Sequence, residues 1–214
     1  MTPRPGRKRA YHHGNLREAL LDAAEELLAD KGSAGLTLRG IARAAGVTHT
    51  AAYHHFADRE AVLGAVAARG FEKLGAALAE SGASAAGPRG FQEMGVAYVR
   101  FATRHGALFR LMFSAEVAHA RRRDRALRSA SDSAFAVLLG GARGLDPGAS
   151  EAALERVAVA AWSIVHGLSA LLLDDQLAAV GLSAGDADRV AREILGSRSP
   201  AGGDPGSEAP PSPK

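Results

Sequence analysis

The 214-residue sequence contains no cysteine, which excludes disulfide bonds, thiolate nucleophiles and cysteine-based zinc sites. It also lacks the alternation of apolar and polar residues that is typical of β-strands. No uninterrupted apolar run approaches the roughly 20 residues needed to cross a membrane, and no apolar segment follows the basic N-terminus. We therefore expect a cytoplasmic protein that does not enter a membrane.

Acidic residues are missing from positions 1–17, although the whole chain carries a formal net charge of only +3. The basic residues of this stretch are Arg4, Arg7, Lys8, Arg9 and Arg17. Such an arm suits a polyanion, but a solvated tail has the same composition. We assign residues 1–13 to a basic N-terminal arm.

Alanine, leucine and arginine dominate the chain, and glycine or proline recurs between segments of helical length, which predicts an all-α fold of about nine helices. A capping box of Asn15 and Glu18 is expected to begin the first helix, and Gly32 to end it. Residues Thr37, Thr48 and Asp58 are expected to cap the next three. Further helices are expected near 88–104, 107–113, 122–143, 148–176 and 186–195.

These segments divide the chain into a head of residues 14–60 and a larger helical domain of residues 61–195. Hydrophobic residues form 47% of the sequence, which is enough to fill a core in both. Residues 196–214 consist almost wholly of glycine, proline, alanine and serine with a few charges, and we expect this tail to be disordered.

The stretch 37–56 has the pattern of a helix-turn-helix, in which two helices cross closely around a turn that requires a positive φ. Ala42 is small enough for the crossing and Gly46 suits the turn, while Leu38, Ile41, Val47 and Ala52 can pin the two helices together. An ordinary helix pair with a glycine turn has the same spacing. The outer face of the second helix favours DNA, because it is polar without being acidic: Thr48, His49, Thr50, Tyr53 and His54.

At this point the sequence resembles the TetR family of bacterial regulators. The likeness is carried by Leu-Thr-Leu-Arg at 36–39, Ile-Ala at 41–42, Gly-Val-Thr at 46–48 and Tyr-His-His-Phe-Ala-Asp-Arg-Glu-Ala-Val-Leu at 53–63. Further on, Trp-Ser-Ile-Val-His-Gly at 162–167 is similar to the Trp-His-Gly signature of one branch of the family's C-terminal domains.

The resemblance implies a role for each head residue that matches the family's motif. The base-facing residues would be Arg39, His49 and Thr50, and the backbone-facing residues would be Thr37, Thr48, Tyr53, His55 and Arg59, with His54 on the same face. The sequence departs from the family by carrying Ala51 and Ala52 in place of a hydroxyl or glycine and a bulky aliphatic residue. It also has Arg59 where lysine is commoner.

The larger domain offers a mixture of aromatic, methionine and histidine side chains that can line a cavity, although any one of them can simply belong to the core. The candidate ligand-binding residues are Tyr98, Phe101, His105, Phe109, Met112, Phe113, Trp162 and His166. The family likeness implies a homodimer that represses transcription from a palindromic operator and is released by a largely apolar small-molecule effector, with no cofactor. We expect the helices near 148–176 and 186–195 to form the dimer, with Leu168 and Leu172 in contact with the partner.

Three other hypotheses compete with this one. An enzyme is disfavoured because no short motif combines a nucleophile with a base and an acid. A metal site at His12-His13 or His54-His55 is disfavoured because adjacent helical residues point about 100° apart. An architectural DNA binder without a ligand would need a solid larger domain. The arginines of 121–128 fit a solvated face better than a second nucleic-acid contact.

Overall fold

The computed structural model describes residues 16–85 and 87–196. Within these ranges the chain forms ten α-helices and three short 3₁₀ turns and has no β-strand, so the all-α expectation is confirmed. The helices are α1 (Leu16–Lys31), α2 (Leu38–Ala44), α3 (His49–His55), α4 (Arg59–Ala83), α5 (Gly87–Arg104), α6 (Gly106–Met112), α7 (Ala115–Ala120), α8 (Arg125–Arg143), α9 (Glu151–Leu173) and α10 (Ala187–Gly196). We call α1–α3 the head and α4–α10 the body.

Local sequence signals fix the boundaries of the head helices. Thr37 Oγ1 accepts a hydrogen bond from the main-chain N–H of Gly40, at 3.0 Å, and Thr48 Oγ1 caps α3 in the same way. Gly32 and Gly46 have φ values of 66° and 71°, which only glycine adopts without strain. All four predicted signals are confirmed, whereas the basic arm, the Asn15 cap, His12-His13 and the tail from residue 197 lie outside the described residues.

Helix α4 is the longest element and connects head to body over 25 residues. It begins at the Asp58 cap, whose Oδ1 accepts from the N–H of Ala61 at 2.8 Å. From there it packs mainly against α5 and α8, and it also contacts α1, α6 and α7. A Cβ at Gly70 would lie 2.6 Å from Sδ of Met112, so the absence of a side chain lets α6 approach α4 closely. The buried side chains of head and body consequently form one continuous cluster.

The described part of the body contains a short helix that the sequence analysis does not predict. This helix, α7, is capped by Ser114, whose Oγ accepts from the N–H of Val117 at 3.2 Å. Its six residues are too few for a clear hydrophobic period, although the Ser114 cap was a usable signal. Helix α8 starts at Arg125 instead of residue 122, because Asp124 accepts from the N–H groups of Ala126 and Leu127.

Helix α10 folds back onto α5 and is held there by charge pairs as well as by burial. The guanidinium of Arg100 donates to both carboxylate oxygens of Asp188, and Arg192 pairs with Glu93. Val190 and Ala191 are fully buried, so the apolar side of α10 is already used within the chain. The helix therefore offers a partner mainly charged side chains.

Helix α9 carries no Asp, Glu, Lys or Arg from residue 157 to residue 173. By length and composition alone α9 could cross a membrane. The expectation that no apolar segment approaches membrane-spanning length is therefore qualified. In the structure α9 packs against α5 and α8 on one side, and its opposite side is uncovered. Leu168 and Leu172, expected at a dimer contact, are 6% and 3% exposed and belong to the core of the single chain. That expectation is therefore corrected.

Candidate DNA-binding face and ligand cavity

The crossing of α2 and α3 is built as the sequence predicted. Ile41, Ala42 and Ala52 are at most 2% exposed, and Leu38 is buried beside them. The N–H of Val47 donates to the carbonyl of Ala42 at 2.9 Å, which closes the turn. Because these apolar residues face inward, the polar residues of both helices face outward.

Eight of the nine predicted DNA-binding residues are exposed, and they lie on α2, on α3 or at the N-terminal caps of these helices: Thr37, Arg39, Thr48, His49, Thr50, Tyr53, His54 and His55. The rings of His49 and Tyr53 meet edge to face with centroids 4.5 Å apart, so each limits the other's rotamers. Tyr53 remains 47% exposed. Each capping threonine uses an oxygen lone pair as acceptor, which leaves its hydroxyl proton for a phosphate oxygen.

Charge on this face has one sign. Residues 31–57 include Lys31, Arg39 and Arg43 and contain no Asp or Glu. Arg43 is exposed next to the turn and was not among the predicted contacts. A face with cationic and hydroxyl groups and no carboxylate can approach a polyanion without electrostatic repulsion.

The structure places Arg59 differently from the other eight residues. Its Nε donates to the carbonyl of Leu36 at 3.0 Å, and its Nη2 donates to the carbonyl of Ser33 at 2.7 Å. Its Nη1 lies 3.4 Å from Oε1 of Glu116 on α7. Every guanidinium nitrogen thus has a partner within the chain, which favours a structural role over the phosphate contact predicted from the family likeness.

The body encloses a cavity of about 430 Å³ between α4, α5, α7, α8 and α9. Its apolar wall comes from α4, α5, α8 and α9, and polar groups gather where α7 meets α8. The lining residues are Phe71, Leu74, Leu78, Tyr98, Met112, Phe113, Ser114, Val117, Ala118, Arg121, Ser131, Asp132, Ala134, Phe135, Leu138, Val159 and Trp162. Ala118, Arg121, Asp132 and Val159 are exposed, so the cavity meets the surface at these residues.

The predicted ligand-binding set divides into two groups in the structure. Tyr98, Met112, Phe113 and Trp162 line the cavity. The other four do not line it: Phe101, His105, Phe109 and His166. The sequence could not separate the two groups, because the residues of both recur at the spacing of a buried helix face.

The second group nevertheless supports the first. The rings of Phe109 and Phe113 lie 5.0 Å apart, and His166 contacts both of them. Phe101 is buried and packs on His105, at a centroid distance of 4.9 Å. Phe109 and His166 thus pack behind lining residues of the cavity and limit the orientation of those side chains.

Most of the wall was missed by the sequence analysis. Helix α4 contributes Phe71, Leu74 and Leu78, which recur at the spacing of one helix face. That spacing predicts burial without distinguishing a core from a cavity. Arg121 belongs to the arginine cluster noted in the sequence, but nothing near it in the chain placed it at the cavity, and Phe135 was not among the candidate ligand-binding residues.

Tyr98 links the motif residues Trp162 and His166 through its hydroxyl group. The indole Nε1–H of Trp162 donates to Oη of Tyr98 at 3.0 Å, and Oη lies 2.9 Å from Nδ1 of His166. Since the indole can only donate, Oη of Tyr98 accepts from Trp162, and its own proton is available to an unprotonated Nδ1 of a neutral His166. Burial raises the pKa of Tyr98 and lowers the pKa of His166, so both side chains are uncharged at neutral pH.

A polar end of the cavity is formed by Arg121, Ser131 and Asp132. Arg121 directly follows α7, and its Nη1 donates to Oγ of the buried Ser131 at 2.8 Å. Main-chain oxygens of Arg121 and Arg122 accept from the guanidinium of Arg128 and hold this turn against α8. The cavity therefore combines aromatic walls with a charged opening.

Two family models match the sequence. The model described as "Bacterial regulatory proteins, tetR family" matches residues 20–66, and the model described as "Tetracyclin repressor-like, C-terminal domain" matches residues 91–197. The second match includes the Trp-His-Gly segment at 162–167. No curated protein matches this sequence.

Solved structures share the arrangement of helices over most of the chain. A protein with unknown function from Rhodococcus sp. RHA1 is 32% identical with a TM-score of 0.71, covering 88% of this chain and 97% of that chain. The TetR family transcriptional regulator PfmR from Thermus thermophilus is 21% identical with a TM-score of 0.57, covering 84% and 93%. NalD, the secondary repressor of the MexAB-OprM multidrug efflux pump in Pseudomonas aeruginosa, is 19% identical with a TM-score of 0.55, covering 86% and 95%.

Proposed function

The chain belongs to the TetR family of DNA-binding transcriptional regulators, and on this basis we propose that it is a repressor released from a palindromic operator by a small-molecule effector. One observation carries the proposal: the helix that follows the DNA-binding face, α4, also forms a wall of the cavity through Phe71, Leu74 and Leu78. A molecule in the cavity therefore contacts the element on which the head is mounted.

In the DNA-bound state, α3 enters the major groove with Arg39, His49 and Thr50 toward base edges. Arginine forms a bidentate pair with guanine, and a histidine N–H can donate to a base acceptor. Tyr53 and the capping hydroxyl groups face the phosphates, where they set the position of the head without reading sequence. This division of roles fits the exposed, acid-free side of α2 and α3.

A homodimer presents two such heads to successive major grooves, about 34 Å apart along the DNA. The uncovered side of α9 supports this assembly, because apolar or small residues follow one another there at intervals of three or four: Ala153, Val157, Ala160, Ile164, Gly167 and Leu171. Val157 and Leu171 are 42% and 44% exposed. A Cβ at Gly167 would meet nothing within 4 Å, so a second helix can approach closely at this point.

Effector binding and DNA binding are linked through α4, which lines the cavity and directly follows the head, and through α7, which lines the cavity and pairs with the start of α4 through Glu116 and Arg59. A ligand that prefers the unbound geometry by about 1–3 kcal/mol lowers operator affinity about 5- to 150-fold. NalD, which shares the fold, is a repressor, and repression is the sign of regulation that we propose here. DNA as a target places the working protein in the cytoplasm.

The proposal is tested by selecting genomic fragments with the purified full-length protein and measuring binding to the selected and scrambled duplexes. We expect the selected fragments to contain an inverted repeat and to bind at least about 10³-fold more tightly than random DNA. A metabolite screen on the complex is then expected to yield a compound that releases the DNA. Equal affinity for selected and scrambled duplexes would instead favour an architectural DNA binder.

A matched pair of variants separates sequence reading from folding. Arg39→Ala alters the proposed base-reading face, whereas Arg156→Ala removes an exposed arginine of α9 that is distant from the head in sequence. Only the first is expected to reduce operator binding. Equal loss in both variants would contradict the assignment of the face.

A further inference from the structure

We propose that the cavity binds an organic anion with an apolar body, and that Arg121 holds the anionic group. This inference rests on the proposed ligand-regulated function and deepens it by naming the chemical class of the ligand. It also gives a role to the arginine-rich segment 121–128, which the DNA-binding function does not use.

Arg121 lines the cavity near its opening, and its guanidinium is held to the wall by one hydrogen bond. Its Nη1 donates to Oγ of Ser131 at 2.8 Å, and Ser131 is only 8% exposed, so the serine is part of the folded wall. Among the residues that the structure describes, Nε and Nη2 of Arg121 have no hydrogen-bond partner. A planar guanidinium whose Nε–Nη2 edge is unused suits bidentate binding of a carboxylate, sulfonate or phosphate group.

Charge around this opening favours an anion. Residues 121–132 contain five arginines and two aspartates. One aspartate, Asp124, is engaged as the N-terminal cap of α8, where Oδ1 accepts two main-chain N–H groups. The other, Asp132, lines the cavity and opposes part of the positive charge. Arg121 and Asp132 are the charged residues that line the cavity, and the other four arginines of this segment add positive charge beside the opening, which favours the approach of anions.

The remainder of the cavity requires an apolar body. Phe71 and Leu74 on α4, Phe135 on α8 and Trp162 on α9 surround the space away from Arg121. A small inorganic anion would leave these walls without a partner, and a purely apolar molecule would leave Arg121 unused. An amphipathic anion satisfies both ends, and the volume of about 430 Å³ lies in the range of drug-sized ligand pockets.

Two probes that differ by a single charged group test the inference: 1-anilinonaphthalene-8-sulfonate and its uncharged parent, N-phenyl-1-naphthylamine. Trp162 is the sole tryptophan of the chain and lines the cavity, so energy transfer from Trp162 reports binding of either probe there. For the full-length protein we expect the sulfonate to bind about tenfold more tightly than the neutral probe, as for hydrogen bonds to a charged group.

The variants distinguish a direct contact between Arg121 and the anionic group from a general effect of positive charge. Arg121→Met should remove the preference for the sulfonate and leave binding of the neutral probe unchanged, which also shows that the variant is folded. Arg121→Lys should retain part of the preference. The control is Arg123→Met, which loses the same charge at an exposed position that does not line the cavity. Ala118→Phe, at the mouth of the cavity, should weaken both probes.

The outcomes separate this inference from the proposed function. If both probes bind and Arg121→Met leaves their affinities unchanged, the anion site is overturned while a ligand-binding cavity stands. If Arg123→Met reduces sulfonate binding as much as Arg121→Met does, the assigned contact is wrong. If neither probe quenches Trp162, the cavity does not admit such molecules and this inference is overturned, whereas effector release is decided separately by the metabolite screen on the DNA complex.

Discussion

The guanidinium of Arg59, at the start of α4, lies 3.4 Å from the carboxylate of Glu116, in the first turn of α7. Through its other nitrogens the same side chain holds the carbonyl groups of Ser33 and Leu36, which connect α1 to α2. Helix α7 also contributes Val117 to the cavity. One arginine thus joins the loop of the head to a helix that faces the ligand space.

Replacement of Arg59 by methionine is expected to lower the free energy of unfolding by about 1–3 kcal/mol, because two partly buried carbonyl groups lose charged donors. Urea unfolding of the variant measures this change. Glu116→Gln is the control, and it should cost less than about 1 kcal/mol because the pair is exposed. The phosphate contact would instead be supported if Arg59→Met left the free energy of unfolding unchanged and made the slope of log operator affinity against log salt concentration shallower by about 0.9.

Alanine at Arg39 or His49 is expected to cost about 1–3 kcal/mol on the operator and to relax the preference at one base position in each half-site. Tyr53→Phe should weaken binding to operator and scrambled duplexes equally, since a phosphate contact carries no sequence information. Fluorescence anisotropy with both duplexes checks the two expectations. Equal losses on both duplexes for Arg39→Ala would move that residue to the backbone-facing group.

Glutamate at both Val157 and Leu171 is expected to convert the proposed dimer to monomers, because two negative charges from each chain would be buried at the seam between two α9 helices. Sedimentation velocity measures the change. Val180→Glu is the control, since Val180 is 69% exposed and lies outside this seam. Leu168→Ala should lower the free energy of unfolding by about 2–5 kcal/mol without dissociating the dimer, because Leu168 is buried in its own chain. Retained dimers in the double glutamate variant would place the interface on another face.

Acidic pH is expected to destabilise the protein through His166 and His105. Burial is the main cause that lowers the pKa of both residues below the usual value of 6.5. The contribution of these histidines to the free energy of unfolding is therefore fully present above about pH 6.5. It is lost as the pH falls below that value, because the unfolded chain then binds protons that the folded chain does not. Unfolding should be compared between about pH 7.5 and about pH 5.5 for wild type, His166→Asn and His105→Asn. Each variant should show a weaker pH dependence, and an unchanged profile for His166→Asn would remove that residue from the explanation.

The head could be predicted from sequence because its determinants are local. The caps at Thr37 and Thr48 and the positive φ of Gly32 and Gly46 each depend on residues within one or two turns. The same pattern that buries Ala52 turns His49 and its polar neighbours outward. Local chemistry alone therefore fixed most of the proposed DNA-binding face.

The body was harder to predict because its decisive contacts join residues far apart in the chain. Phe109 and Phe113 are four residues apart and equally apolar, yet only Phe113 lines the cavity. Arg59 and Glu116 are 57 positions apart in the sequence, and no pattern near either residue predicts that the two side chains contact each other. Sequence alone determined that these side chains are buried, aromatic or charged. Packing of α4 against α7 and α8, and of α9 against α5 and α8, decided which of them surround an open space, because a void depends on how whole helices fit together.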